Sequence, residues 1–190
     1  MEQIAVREAP PSTAERVPWP FDRVRPGQSE FLADARRAIA EGKHLLAHAP
    51  TGIGKTAVAL VASLGFALER GQTVLFLTAR QSQHRIAVET LRRLEAKGAR
   101  IPTVDVIAKQ DMCLQPNRPE YGRAFHEFCE LKVRTRTCSF FNRDDSVVVA
   151  AVLQRALHVQ EVVRASSACR VCPHKVAMDA AEQARVVVCD

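Results

Sequence analysis

The sequence of 190 residues lacks the features of a membrane or secreted protein. No apolar run reaches the roughly 18 residues that a membrane-spanning helix needs. The N-terminus carries no apolar segment behind its charged residues, so a secretory signal is not expected. Six cysteines outside a secretory context argue against a disulfide framework and leave metal ligands or buried thiols. These absences predict an intracellular protein in a reducing compartment, the cytoplasm, with no membrane partner.

The sequence also lacks internal repeats, low-complexity tracts and any Asp-Glu-Ala-His tetrapeptide. What it has is the composition of a folded protein, with 47% hydrophobic and 25% charged residues. The formal net charge of +6 favours a polyanionic partner such as nucleic acid but does not identify it. The first 18 residues are polar and contain proline, and we predict that they form a loosely ordered tail.

The alternation of apolar segments with helical patterns predicts an α/β fold with a parallel sheet. Residues 110–145 interrupt this order, show no clean period and contain three of the six cysteines. The α/β pattern then resumes. The predicted strands are 44–49, 73–78, 103–108 and 185–189, and the predicted helices begin at Gln28 and Ser82 or cover 55–71, 146–165 and 173–183.

The segment APTGIGKT, residues 49–56, fits the phosphate-binding pattern G-x-x-x-x-G-K-[ST] except for alanine at its first position. It lies between a predicted strand and a predicted helix, which is the context that such a loop requires. Glycines let successive backbone N–H groups turn toward phosphate, and the helix N-terminus adds partial positive charge. The pattern predicts binding of ATP with Mg²⁺, with Lys55 on the β- and γ-phosphates and Thr56 on the metal. The candidate nucleotide-binding residues of the loop are Ala49, Pro50, Thr51, Gly52, Ile53, Gly54, Lys55 and Thr56.

The glycine-rich loop and the last residue, Asp190, each allow a second interpretation. A glycine-rich turn with a chance lysine would explain the loop without any ligand. Asp190 follows an apolar strand, as a magnesium-binding aspartate often does, but no glutamate comes after it to orient water. We therefore interpret Asp190 as a strand end.

Four further segments carry a family likeness: WPFDRVRPGQ (19–28), LFLTARQSQHRIAVETLRRL (75–94), KQDMCLQP (109–116) and CPHKVAMDAAEQARVVVCD (172–190). Together with the phosphate loop they resemble the XPD/DinG family of superfamily-two DNA helicases. The resemblance implies a RecA-like P-loop NTPase sheet with an inserted, mostly helical iron–sulfur cluster domain. It implies motor-domain residues 19–108, a cluster domain at 109–175 and a return to the motor domain at 176–190.

The same resemblance implies roles for individual residues. Gln28 and Arg25 would contact the adenine end of ATP. The turn after the second strand would touch single-stranded DNA. Its candidate residues are Thr78, Arg80, Gln81 and His84. The ligands of a 4Fe–4S cluster would be Cys113, Cys129, Cys138 and Cys172.

The residues alone leave the cysteines open. Cys169 and Cys172 form one C-x-x-C pair, which suits half of a zinc site, a redox dithiol or part of an iron–sulfur set. Zinc frameworks usually show two close pairs, and buried thiols without any metal are common. The resemblance selects Cys172, which precedes Pro173, and leaves Cys169 as a bystander. Basic and aromatic residues around these cysteines suit single-stranded DNA.

By this resemblance the chain is the N-terminal part of an ATP-dependent DNA helicase that moves 5′ to 3′ on single-stranded or forked DNA. The sequence leaves the pathway open among DNA repair, replication and a transcription-linked process. We expect it to be inactive alone, because the Asp-Glu-Ala-His motif and a second motor domain are missing and the remaining portion would be a partner. Two alternatives use the same loop. One is a non-motor, metal-stabilised nucleic-acid-binding module whose loop senses nucleotide, and the other is a zinc-bearing P-loop kinase.

Overall fold

A computed structural model describes residues 17–190, so the predicted tail lies almost wholly outside the described residues. The chain divides into two compact units, Met1–Gln72 and Thr73–Asp190. In the described part of the chain, no helix is both long enough and apolar enough to span a bilayer.

The first unit contains two helices that pack on each other, α1 (Gln28–Ala40) and α2 (Lys55–Arg70). Both were predicted from the sequence, and both are confirmed. The four-residue spacing of apolar side chains on α1 places them on one face, which contacts α2. The shared core consists of Ala35, Val58 and Ala62, with Trp19, Phe31, Leu32 and Ile39 at its edge.

The predicted strand over residues 44–49 is wrong. This segment has no regular secondary structure, and Leu46 is 100% exposed. A strand is stabilised by backbone hydrogen bonds to a neighbouring strand, and no described strand pairs with this segment. The apolar composition of residues 44–49 therefore indicated a tendency to form a strand, but it did not show whether a neighbouring strand would pair with them.

The second unit contains a three-stranded parallel sheet with the order β1-β3-β2. The strands β1 (Val74–Leu77), β2 (Thr103–Asp105) and β3 (Val186–Cys189) confirm three of the predicted strands. The last strand in the chain lies in the middle of the sheet, because Val186 pairs with both Val74 and Thr103. Parallel pairing brings the carboxyl ends of all three strands to one edge.

Six helices complete this unit, and some of their bounds differ from prediction. The first begins at Gln81 with Arg80 as its N-cap, so Ser82 is not the cap. The predicted helix 146–165 is two helices, because a capping box of His158 and Glu161 starts a new one. The helix 122–134 was not predicted. The helices are α3 (Gln81–Ala96), α4 (Lys109–Met112), α5 (Gly122–Arg134), α6 (Ser146–Val152), α7 (Val159–Ala168) and α8 (Pro173–Ala181).

One hydrophobic core joins the cysteine-bearing segment to the sheet. Val104 and Val187 from the strands pack with Val149, Val162 and Val176 from α6, α7 and α8. Each of these five side chains is at most 7% exposed. Helices α6, α7 and α8 therefore share a single core with the sheet, and residue 175 lies within α8.

Candidate nucleotide, cysteine and nucleic-acid sites

The phosphate-binding loop has the backbone conformation that its glycines predict. Gly52 and Gly54 both have φ 87°, and Gly54 is the N-cap of α2. Lys55, the first residue of the helix, donates hydrogen bonds from Nζ to the carbonyl oxygens of Ala49 (2.9 Å) and Pro50 (3.0 Å). The Lys55 side chain thus lies across the loop and is exposed. Because Lys55 is the first residue of α2, its charge lies at the N-terminus of that helix.

Arg25 and Gln28 hold the back of this loop. The Gln28 side-chain amide donates to the carbonyl oxygen of Ile53, and its Oε1 accepts from the backbone N–H of Arg25 at 2.6 Å. The Arg25 guanidinium donates to the carbonyl oxygen of Gly52. Gln28 is only 2% exposed. Both residues therefore reach the loop itself, and their predicted contact with adenine stays a prediction.

Beside the loop is an open groove within the first unit. Gly27 and Phe31 line one part of it, and Ala49, Pro50 and Ile53 line another. The groove thus begins at the phosphate loop and runs along the first turn of α1. The carboxylates of Glu30 and Asp34 also line it.

The turn after β1 lies at the carboxyl edge of the sheet, where parallel α/β proteins bind ligands. Arg80 and Gln81 are exposed there, and Thr78 is half-buried with its hydroxyl donating to the carbonyl oxygen of Arg80 at 3.1 Å. The contact of these three residues with DNA stays a prediction.

His84 departs from the predicted role. Its side chain is 0% exposed, and its Nδ1 lies 2.6 Å from Oδ1 of the equally buried Asp105. Asp105 also accepts a hydrogen bond from the backbone N–H of Val159 through Oδ2 at 2.9 Å. A fully buried ring cannot contact DNA, so we correct this assignment: His84 joins α3 to Asp105 at the end of β2, and Asp105 in turn holds the start of α7.

Four cysteines line one pocket of the second unit, namely Cys113, Cys129, Cys138 and Cys172. Phe125, Phe128, Phe140 and Phe141 line the rest of the pocket with Pro173 and several other side chains. Cys169 and Cys189 do not line it, and Cys169 is exposed. The fold thus brings together the same four cysteines that the resemblance selects, from segments up to 59 residues apart in the chain (113 to 172).

The pocket changes the ionisation of these thiols. Burial raises the pKa of Cys113, and the nearby Cys129 and Cys138 add to that rise. Burial also raises the pKa of Cys172, although the backbone N–H groups of His174 and Lys175 oppose the rise. Such N–H groups, and the Gln115 amide that lies 3.2 Å from Cys138 Sγ, stabilise negative charge on sulfur.

Local backbone geometry decides which half of the C-x-x-C pair enters the pocket. Cys169 is the C-cap of α7, and Arg170 has φ 56°, a left-handed conformation that reverses the chain. Cys172 then becomes the N-cap of α8. Among the described residues, no group of three or more His, Cys, Asp or Glu side chains is arranged to hold a single metal ion.

Sequence reasoning missed Asp105 and Gln115. Asp105 stands at the carboxyl end of a predicted strand, and that position was the available signal for a functional acid. No signal in the sequence linked Gln115 to Cys138, because they are 23 residues apart.

The comparisons with known families cover both units. A family model described as DEAD_2 matches residues 76–190, and a model described as DEAD/DEAH box helicase matches residues 25–121. No curated protein matches the chain.

Proposed function

Because the chain belongs to the DEAD/DEAH box helicase family, we propose that it binds ATP with Mg²⁺ and single-stranded DNA, and that its four pocket cysteines hold a 4Fe–4S cluster. The family implies a RecA-like fold, nucleic-acid binding and ATP-dependent helicase or hydrolase activity in general. The observation that carries the finer proposal is the convergence of Cys113, Cys129, Cys138 and Cys172 on one pocket.

The ATP site is built from residues 49–56 with the groove beside them. Lys55 would release the carbonyl oxygens of Ala49 and Pro50 and turn to the β- and γ-phosphates. Thr56 would contribute its hydroxyl to the Mg²⁺ shell. The N–H groups at the start of α2 face the same space, and the first turn of α2 contains no acidic residue to compete with phosphate.

Equilibrium titration with a fluorescent ATP analogue and Mg²⁺ tests this site. Lys55→Ala should abolish measurable binding, whereas Lys43→Ala, which removes an exposed lysine paired with Glu41, should leave it unchanged. Equal affinity of the Lys55→Ala variant and the unaltered chain would refute the phosphate role.

Four thiols line one pocket, and four is the number of cysteine ligands that a 4Fe–4S cluster takes. Soft thiolates suit iron. Burial raises the pKa of Cys172, and the N–H groups of Lys175 and His174 only partly oppose that rise, so a bound metal would have to displace the thiol proton. When bound, the cluster would tie α5, α8 and the loop after α4 together.

Anaerobic purification followed by iron, sulfide and zinc analysis tests the cluster. We expect a brown protein with about four irons per chain. Serine substitution at Cys113, Cys129, Cys138 or Cys172 should remove the colour, and Cys169→Ser is the matched control that should keep it. Stoichiometric zinc without iron would overturn the cluster, and colour loss only in Cys169→Ser would reverse the choice within the C-x-x-C pair.

The DNA partner and the direction of movement rest on family likeness and on the exposed Arg80 and Gln81 at the sheet edge. We propose 5′-to-3′ movement for the complete motor. The 190-residue chain itself should not unwind a forked duplex, since it has no Asp-Glu-Ala-His motif. A strand-displacement assay with ATP checks this, and sustained unwinding would contradict the proposal.

A further inference from the structure

Two helices of the second unit end in the same way, and each ends four residues before a cysteine of the pocket. In α5, the N–H of Thr137 bonds the carbonyl of Lys132 (2.9 Å) and the N–H of Arg136 bonds that of Val133 (3.1 Å). This pair of bonds is a Schellman motif, in which the first residue after the cap adopts a left-handed conformation. Arg136 has that conformation, with φ 56°, and Cys138 follows two residues later.

The end of α7 repeats this arrangement. The N–H of Val171 bonds the carbonyl of Ser166 (3.0 Å), and the N–H of Arg170 bonds that of Ser167 (3.0 Å). Arg170 also has φ 56°, and Cys172 follows two residues later. Cys138 and Cys172 line the same pocket, so the two helix ends lie on the same part of the second unit.

Arginine at these two positions strains the backbone. The left-handed conformation strains any residue with a Cβ, and glycine is the usual residue at this position. The same chain follows that rule elsewhere: α1 and α3 end in the same motif with Gly42 and Gly98. Strain of this kind persists where the side chain has a function that glycine cannot supply.

Charge indicates what that function is. Arg136 and Arg170 are exposed, and within the described residues neither makes an ion pair or a side-chain hydrogen bond. The nearest acidic residues in the sequence are Glu130 and Asp144 on either side of Arg136, and Glu161 and Asp179 on either side of Arg170. Two exposed guanidinium groups without an ion pair in the described part of the chain suit a polyanion, and their planar forks match phosphate oxygens.

We propose that Arg136 and Arg170 form a two-point contact for the phosphate backbone of single-stranded nucleic acid, beside the cysteine pocket. The two helix ends present one guanidinium each, two residues ahead of Cys138 and Cys172. This inference rests on the proposed nucleic-acid function and adds the residues that bind the backbone outside the turn after β1.

The test measures binding of a labelled oligothymidine of about 20 nucleotides to the whole anaerobically purified chain, over roughly 50 to 200 mM salt. In the double variant Arg136→Gly/Arg170→Gly, the slope of log affinity against log salt should flatten by about 1.4, since each single-strand phosphate contact contributes about 0.7. Affinity at the lowest salt should fall roughly five- to ten-fold per arginine. The melting temperature should stay or rise, because the backbone strain is relieved.

Two matched variants separate charge from backbone. Asn117→Gly relieves the other described non-glycine residue with positive φ (57°) without removing a charge, and it should leave the salt slope unchanged. Arg136→Gln/Arg170→Gln removes both charges and keeps the strained backbone, so it should flatten the slope even if the glycine variant folds poorly.

Three results would overturn the inference. An unchanged salt slope in both double variants would show that the two arginines do not contact phosphate, although the chain could still bind DNA elsewhere. A lower melting temperature with an unchanged slope would make the arginines helix caps that interact with the helix dipole. Failure of the unaltered chain to bind oligothymidine would overturn both this contact and the proposed nucleic-acid function. If the chain then bound polyglutamate instead, the partner of the two arginines would be an acidic protein segment.

Discussion

His84 and Asp105 form a fully buried pair, with His84 Nδ1 2.6 Å from Asp105 Oδ1. The carboxylate uses its second oxygen to accept the N–H of Val159, the first residue of α7. One acid thus connects the helix after β1, the end of β2 and the helix that leads to Cys172. The turn that we propose for DNA contact and the cysteine segment are therefore anchored on the same side chain.

Asp105→Ala should be among the most destabilising single substitutions in the second unit. It leaves both the His84 ring and the Val159 N–H buried without a partner, which we expect to cost about 3 kcal/mol or more in the free energy of unfolding. Urea unfolding followed by circular dichroism measures the cost. The control is Glu120→Ala, since Glu120 is exposed and should change stability by no more than about 0.5 kcal/mol. Similar costs for the two variants would contradict the bridging role of Asp105.

Gly54→Ala tests the contact between the phosphate loop and Gln28. A Cβ on Gly54 would lie 2.5 Å from Gln28 Nε2, and the φ of 87° adds strain of its own. Gly71→Ala is the matched control, because Gly71 also has positive φ (65°) but no atom within 4 Å of its Cβ position. We expect about 1 kcal/mol for Gly71→Ala and about 2 to 3 kcal/mol for Gly54→Ala, with loss of ATP binding only in the latter.

A double-mutant cycle with Gln28→Ala isolates the clash. If Gln28 is the obstacle, Gly54→Ala should cost less in the Gln28→Ala background than in the unaltered chain. If the destabilisations caused by Gly54→Ala and Gln28→Ala simply add, the contact between Gly54 and Gln28 is not the cause of the clash.

Glu161 predicts a pH dependence of stability. Burial acts to raise the pKa of Glu161, but the backbone N–H of His158 and the guanidinium of Arg92 outweigh it and hold the pKa below the ordinary 4.5. Because the folded pKa is depressed, the stabilisation is present above the unfolded pKa and is lost as the pH falls through the folded pKa. Glu161→Gln should therefore lower stability at neutral pH by about 1 kcal/mol and converge with the unaltered chain in acid.

Unfolding curves at a series of pH values from neutral to about 3 measure this convergence. Glu89→Gln is a suitable control, since Glu89 contacts the same Arg92 at 3.3 Å but is 56% exposed. It should change stability by only a few tenths of a kcal/mol. A difference between Glu161→Gln and the unaltered chain that persists in acid would contradict the assignment.

Several parts of the fold and site could be predicted because their signals are local. The phosphate loop follows from glycines and lysine at fixed spacing, and the α/β order follows from apolar periodicity. Helix α5 was missed although the signal was present, because Phe125, Phe128 and Cys129 have the i, i+3, i+4 spacing of one helical face. Residues 44–49 were assigned to a strand because their composition resembles a buried strand, yet composition contains no information about a partner.

The sequence by itself determined the glycine-containing loop before α2, the apolar strands β1, β2 and β3, and the number of thiols. Only the tertiary structure decided that β3 lies between β1 and β2, that His84 is buried on Asp105, and that Cys172 rather than Cys169 lines the pocket. The physical reason is that glycine torsion angles and apolar spacing determine the backbone conformation of only a few neighbouring residues. Strand order, burial and the direction of a thiol depend on segments that meet only when the chain packs.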